Sequence, residues 1–248
     1  MFQSLRTARG VVRSLRTYYG RRAPRAAMDA LYAQFVKPGD LVFDIGAHVG
    51  DRVAAFRRLG ARVVAVEPQP ALVRTLKFLY RRDRQVGIEA AAVGNAPGTV
   101  MLKINVDNPT VSTVSGDFVK AAHGARGWEG QRWSRSIPVT ATTLDALIAR
   151  HGKPVFMKID VEGYESQALA GLSQPVPALS FEFTTIQRDV AFACIEHCVA
   201  LGFKRFNAAL GESQTLVHAD WQSASQIAAW LQSLPHEANS GDVYARMG

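Results

Sequence analysis

The stretch "LVFDIGAHVGDRVAAFRRLGARVVAVEP", Leu41–Pro68, decides the fold. An apolar run of strand length, "LVFDI", carries Asp44 near its end and runs into a loop bounded by Gly46 and Gly50. "DRVAAFRRLG" then has helical periodicity and is stopped by Gly60, and "RVVAVE" is a second strand ending on Glu67. Strand, glycine loop, helix and strand of these lengths make a right-handed crossover unit with two parallel strands.

The alternation continues outward. "PALVRTLKFLYRR" has Pro70 where a helix tolerates it, at the start. "GIEAAAVG" reads as a third strand and "GTVMLKIN" as another. "IPVTATTLDALIARHG" gives a strand and a helix whose N-cap is Thr142 or Thr143, and "PVFMKID" gives a fourth core strand expected beside the first. "ALSFEF" is a fifth core strand, "RDVAFACIEHCVALG" a helix, and "FKRFNAAL", "SASQIAAWLQSL" and "GDVYARM" complete the sheet with an antiparallel member. The predicted class is α/β and Rossmann-like: a mostly parallel sheet of about seven strands, helices on both faces.

The chain has 248 residues, 48% of them hydrophobic, enough for one substantial core. Residues 37–248 are expected to form one domain, preceded by a basic amphipathic helical arm over 1–36. Of 29 basic residues, seven precede the first acid, Asp29: Arg6, Arg9, Arg13, Arg16, Arg21, Arg22 and Arg25. The remainder, 22 basic against 21 acidic residues, is nearly neutral, so no nucleic-acid face is expected. In the arm, Leu5, Ala8, Val12, Leu15 and Tyr19 form an apolar stripe. Packing of that stripe on the domain is one reading, and peripheral contact with an anionic membrane surface is the other.

No apolar run approaches the roughly 20 residues of a membrane span, and the start lacks the pattern of a secretory signal. A soluble, cytoplasmic protein is expected. Cys194 and Cys198 lie in a helix-patterned segment with His197 and read as a buried face rather than a disulfide framework or a metal site. His123 and His218 are isolated and read as surface or hydrogen-bonded residues. From 105 to 136 the rhythm breaks into a mixed segment with Trp128, Trp133, Arg126, Arg132 and Arg135. Long irregular segments are uncommon without a function, which makes this one a lid or substrate-facing insertion. Its aromatic and guanidinium groups suit a sugar or an acidic acceptor, and an ordinary surface loop is the plain alternative.

In an open parallel sheet, ligands bind beyond the carboxyl ends of the strands near the switch point. There the first strand offers Asp44 and the Gly46–Gly50 loop, and the second offers Glu67, an acid able to accept both hydroxyls of a ribose. A dinucleotide would need the glycine spacing that rests a pyrophosphate on the helix, whereas Ala47, His48 and Val49 separate these glycines and Asp51 would repel phosphate. A nucleoside cofactor without phosphate fits better, and S-adenosylmethionine is one. A nicotinamide-dependent oxidoreductase and a non-catalytic nucleoside-binding scaffold are the alternatives.

"DIGAHVG" at 44–50, "VEP" at 66–68 and "KIDVEGYE" at 158–165 resemble, in order and spacing, the hallmarks of the FkbM family of S-adenosylmethionine-dependent methyltransferases. The similarity covers about Pro38 to Phe183, with His48 where the family usually has Asn. The resemblance implies the class I methyltransferase fold. It also implies that Asp44, Gly46, Ala47, His48 and Gly50 form the methionine-side loop and that Glu67 with Pro68 holds the ribose. Ala92, Val93 and Gly94 would lie by the adenine. From the resemblance comes the expectation of O-methylation on a small-molecule or glycan acceptor, a carbohydrate or secondary metabolite.

Period two puts Lys158, Asp160 and Glu162 on one face of an extended chain, at the same edge as the cofactor loop. Asp160 is the first choice for base or for positioning the acceptor, Glu162 the second, and Lys158 would keep a neighbouring carboxylate ionised. The plain alternative is that Lys158 and Asp160 only pair and Glu162 caps the following helix. No metal is assigned, although Asp160, Glu162 and Glu182 are of the type that binds Mg²⁺.

Overall fold

The computed structural model describes the backbone of residues 2–19 and 23–248 and the side chains of 9–19 and 25–248. Arg21 and Arg22, and the side chains of Leu5, Arg6 and Ala8, lie outside the described residues. Two helices, α1 (Phe2–Tyr19) and α2 (Ala23–Tyr32), precede the sheet. Then come β1 (Leu41–Ile45), α3 (Asp51–Arg58), β2 (Arg62–Val66), α4 (Pro70–Leu79) and β3 (Val86–Glu89). After β4 (Ala92–Val93) and β5 (Gly98–Ile104) follow a 3₁₀ turn (Pro109–Val111), α5 (Gly116–Ala122), β6 (Arg135–Thr142) and α6 (Leu144–His151). The last third contains β7 (Phe156–Ile159), α7 (Glu165–Leu169), β8 (Ala178–Thr184), α8 (Arg188–Ala200), β9 (Arg205–Leu210), α9 (Ala224–Ser233), a second 3₁₀ turn (His236–Ala238) and β10 (Ser240–Arg246).

Seven strands form the main sheet in the order β3-β2-β1-β7-β8-β10-β9, with β10 antiparallel to both of its neighbours and the other pairings parallel. The chain winds outward from β1 through β2 to β3, then returns to lay β7 on the other side of β1. That reversal opens a crevice at the carboxyl ends of β1 and β7, where Asp44 pairs in register with Lys158 and Ile45 with Ile159.

Alternate residues of the central strands feed two apolar layers. Phe43, Ile45, Met157 and Ile159 pack with residues of α6, α7 and α8, while Val42 and Phe156 pack with Tyr32 and Phe56 of the opposite helices. Phe43 and Phe156 are fully buried, and truncating such a phenylalanine costs about 3–5 kcal/mol. Local signals set the element ends: Pro70 opens α4, and the Thr143 hydroxyl accepts the Ala146 N–H at 3.1 Å to cap α6.

Two expectations are corrected. "GIEAAAVG" is not one strand: β3 ends at Glu89, and Ala92–Val93 leaves as β4 to pair with β6. With β5, these make a second, three-stranded sheet of order β4-β6-β5 that no periodicity announced. The stripe of α1 also departs from expectation at Val12, which is 47% exposed while Val11 is buried in its place; Leu15 and Tyr19 pack inward as the stripe requires, with Tyr18 beside them. No described helix is long and apolar enough to cross a membrane.

Candidate active site

A cavity of about 260 Å³ occupies the crevice at the strand ends. The loop after β1 is one wall. Gly46 has φ of +86°, and a Cβ there would fall 1.7 Å from the carbonyl oxygen of Asp160, so only glycine lets the loop cross so close to β7. The N–H groups of Gly46 and Ala47 donate to the Val66 carbonyl at 2.9 and 3.0 Å, which ties the loop to the end of β2. His48 is left-handed too, with φ of +47°. Asn and His are both enriched in that region, which accounts for His at a place where the resembling family has Asn.

Glu67 is braced from two sides. Its Oε2 accepts the His48 N–H at 3.0 Å and its Oε1 the Gln69 N–H at 2.8 Å, leaving one lone pair on each oxygen for ligand hydroxyls. Burial pushes its carboxyl up to about 7 against those two hydrogen bonds. Asp44 is 1% exposed, and burial, then the nearby Asp51, pushes it up to about 7 as well. Its Oδ2 has no hydrogen-bond partner among the described residues. An unpartnered acid beside a glycine cradle, with a ribose-type acid on the next strand, fits the cationic amino group and the ribose of S-adenosylmethionine.

Of the residues expected at the cofactor, Asp44, Gly46, Ala47, His48, Glu67, Pro68, Ala92 and Val93 line the cavity. Gly50 and Gly94 do not. A Cβ on Gly50 would meet Leu76 and Tyr80 of the α4 region, and one on Gly94 would meet the Tyr164 ring, so close packing asks for glycine at both positions. Gln69, Leu72, Leu102, Tyr18 and residues 109–114 also line the cavity and carry no sequence motif.

The second wall is acidic. Asp160, Glu162 and Glu182 bring carboxylate oxygens within 4.8 Å of one another. Lys158 does not reach the cavity. It is 1% exposed, and its Nζ donates to Asp160 Oδ2 at 3.0 Å and to Asp242 Oδ1 at 2.7 Å. Burial opposes ionisation of Asp160, but Lys158 together with Arg52 and Glu182 outweighs it and holds that carboxyl below the usual range. Burial and then the charge of Asp160 push Glu162 and Glu182 well above theirs. Asp160 is therefore the acid of this wall that ionises most readily, and Glu162 and Glu182 hold their protons more tightly than ordinary carboxyls.

The period-two reading of this wall ends at Ile159. Glu162 has φ of +56° and turns into the cavity from a left-handed loop position, not from a strand face. Nor does it cap the next helix, which has no side-chain cap; instead Glu165 Oε1 accepts the N–H groups of Val161 and Gly163 in the preceding turn at 3.0 and 3.2 Å. That brace fixes the turn in which Glu162 is presented.

Residues 105–136 cover the open side. The Thr113 hydroxyl donates to the Glu162 carbonyl at 2.7 Å, and residues 109–114 with Trp128 line the cavity. Trp133 is turned away from ligand: it stacks edge-on with Phe118, as Trp128 does, and its Nε1 donates to the Val111 carbonyl. Arg126 pairs with Glu237, while Arg132 and Arg135 are exposed outside the cavity. Of the two readings of these arginines, an acceptor-facing group and an ordinary surface loop, their positions match the second. Cys194 and Cys198 are free and buried on α8, and His197 bonds the Leu172 carbonyl.

The strand order, with a glycine loop after β1 and an acid just past β2, is that of a class I S-adenosylmethionine-dependent methyltransferase. The family profile described as "Methyltransferase FkbM domain" matches residues 44–235, and the chain belongs to that family. S-adenosylmethionine is its methyl donor, which sets the nicotinamide reading aside. No curated protein matches the chain. Among solved structures it is similar to precorrin-6y C5,15-methyltransferase from Geobacter metallireducens, at 12% identity and TM-score 0.44 over 90% of this chain and 87% of that one. Aeropyrum pernix fibrillarin with natively bound S-adenosyl-L-methionine aligns at 12% identity and TM-score 0.44, over 87% and 73%. The Burkholderia thailandensis 1,6-didemethyltoxoflavin-N1-methyltransferase aligns at 14% and 0.44, over 98% and 86%.

Proposed function

We propose that the protein O-methylates a hydroxyl of a small-molecule or glycan acceptor, a carbohydrate or secondary metabolite, with Asp160 as the group that receives the hydroxyl proton. The observation that carries this reading is the ionised Asp160 carboxylate, fixed by Lys158 beside the cofactor loop. Asp44, the Gly46–His48 loop and Glu67 with Pro68 would hold the donor, and Ala92 and Val93 would border its adenine. Bound, it supplies an electrophilic methyl group on a positively charged sulfur, which leaves as a neutral thioether.

Asp160 orients the acceptor hydroxyl and takes its proton as the oxygen becomes an ether, a contribution of about 10² to 10⁴ in rate. Glu162 and Glu182, whose protons are held more tightly than those of ordinary carboxyls, offer hydrogen-bonding groups to neighbouring acceptor oxygens, which suits a polyhydroxylated ligand. Lys158 acts at one remove, by keeping the base ionised. The segment 105–136 serves as a lid that excludes water from the acceptor side. Two free, buried cysteines support a cytoplasmic setting.

Asp160→Asn tests the reading: binding of S-adenosylhomocysteine should persist while turnover falls at least 100-fold, within the range set for a lost proton acceptor. Undiminished turnover would overturn the assignment. The 4.8 Å grouping of three carboxylates also favours a second reading, Mg²⁺ held by Asp160, Glu162 and Glu182 to polarise the acceptor. Activity lost in EDTA and restored by Mg²⁺ would select it.

A further inference from the structure

The N-terminal helix lies outside the family match and outside every motif that led to the pocket, yet it forms part of the pocket wall. Val11 shares an apolar cluster with Val49 and Leu72, bordered by Leu15, Tyr18 and Tyr19. The Tyr19 hydroxyl donates to the Val49 carbonyl at 3.1 Å. Farther along the helix, Gly10 rests on Pro109, where a Cβ would come within 2.9 Å of the proline ring, and Arg13 hydrogen-bonds the Asp107 carbonyl. The helix thus clasps the cofactor loop with one end and the 105–136 segment with the other.

Tyr18 is the residue by which it enters the cavity. Its ring stands edge-on against His48, with centroids 5.5 Å apart and planes at 80°. The two sides of His48 are therefore used differently: its backbone N–H faces Glu67 and its ring faces Tyr18. A ligand anchored by its ribose at Glu67 and running across this loop reaches Tyr18 with whatever extends beyond the ribose. The charges that act most strongly on Tyr18 are those of Glu212, Asp51, Arg52 and Asp160, a mixed-sign surround that suits a zwitterion. Tyr18 lines the cavity, and its hydroxyl has no hydrogen-bond partner among the described residues. Burial, and then the neighbouring acids, keep that phenol protonated, hence a donor.

We propose that Tyr18 contacts the amino-acid tail of S-adenosylmethionine, so that the basic N-terminal helix is a wall of the cofactor site and helps to select a nucleoside that carries this tail. The proposal rests on the assignment of the cavity to that cofactor. Among the described side chains of the helix, the apolar face packs on the loop and those exposed are Arg9, Val12, Arg13, Arg16 and Thr17.

The test is calorimetric titration of the full chain with two probes, S-adenosylhomocysteine and 5′-methylthioadenosine, which share the nucleoside and the sulfur but differ in the tail. Tyr18→Phe should weaken S-adenosylhomocysteine roughly 10-fold or more, as expected for one lost hydrogen bond to a charged group. Methylthioadenosine affinity should stay within about twofold of wild type by the same argument. Tyr18→Ala, which also frees the His48 ring, should weaken the tailed probe further, and both variants should melt near the wild-type temperature. Unchanged S-adenosylhomocysteine binding by Tyr18→Phe, or a parallel loss of both probes, would overturn the proposal. Wild-type protein that binds neither probe would remove the cofactor assignment itself, and this inference with it.

Discussion

Gly46 and Asp160 meet backbone against backbone: a Cβ on Gly46 would lie 1.7 Å from the Asp160 carbonyl oxygen. The contact joins the cofactor loop to the strand that presents the proposed base, so donor and base are positioned by one another. Gly46→Ala must move one of them and must also hold alanine at φ of +86°. The left-handed backbone alone costs about 1–2 kcal/mol. In a domain of this size that lowers the melting temperature by roughly 2–8 °C. Differential scanning calorimetry with and without S-adenosylhomocysteine should show that drop and the loss of ligand-induced stabilisation.

Lys158 was expected among the catalytic groups, and its surroundings make it structural in the first instance. It lies buried between Asp160 and Asp242, bridging β7 to β10. Removing it strands two carboxylates, one of them on the antiparallel strand, at a cost of about 3–5 kcal/mol. Lys158→Met should therefore unfold at lower denaturant concentration, whereas adding Asp242→Asn should recover part of the loss. A double variant no more stable than the single one would show that Asp242 contributes nothing to the penalty.

The two acids of the cofactor wall give the site a pH dependence. Burial pushes both Asp44 and Glu67 up to about 7 in the folded protein, from 3.8 and 4.5. For an acid whose folded value is raised, the native state holds more protons than the unfolded one between those values. Stability of the free protein should accordingly be highest below pH 4 as far as these two groups are concerned, and their contribution is lost as pH rises through about 7. Ligand binding runs the opposite way, because the ionised forms attract an ammonium group and accept ribose hydroxyls. Titration calorimetry with S-adenosylhomocysteine should show affinity rising from pH 6 and levelling off above about 7. Affinity flat over that interval would mean that neither acid meets the ligand.

The parts of this protein legible in its sequence are those in which one residue type answers one backbone demand. Asp44, Gly46 and Glu67 could be placed because a parallel strand must end somewhere and the loop after it needs glycine. Lys158 and Asp160 could be put at one edge because strand side chains alternate, but Glu162 enters the cavity from a left-handed turn that alternation does not describe. Gly50 and Gly94 look like cofactor residues in a motif, yet they lie outside the cavity lining and close against Tyr80 and Tyr164. The three-stranded sheet was hidden because β4 has two residues, too few to show a period. Tyr18 was hidden for another reason. It lies 26 positions before Asp44 and meets the site only through tertiary contact, on a helix whose inward face takes in Val11 and Tyr18 beside the apolar stripe.

Thr113 gives the means of asking whether the covering segment acts on the acceptor. Its hydroxyl donates to the Glu162 carbonyl at 2.7 Å and accepts the Ser115 N–H at 2.8 Å, so it ties residues 105–136 to the turn that presents Glu162. Thr113 is 1% exposed, and valine fills the same space without either bond. The change leaves a buried carbonyl and a buried N–H unpaired, at about 1–3 kcal/mol each at most. Because Glu67 and the Gly46 loop are on the other wall, S-adenosylhomocysteine binding should be preserved within about threefold, a change of under 1 kcal/mol. Acceptor KM should rise and kcat fall together, since a loosened turn misplaces the hydroxyl that Asp160 must reach. Measuring both constants with any acceptor found by labelled-methyl transfer decides the matter. If Thr113→Val weakens the cofactor product instead and leaves acceptor KM alone, the segment belongs to the donor side and the lid assignment fails.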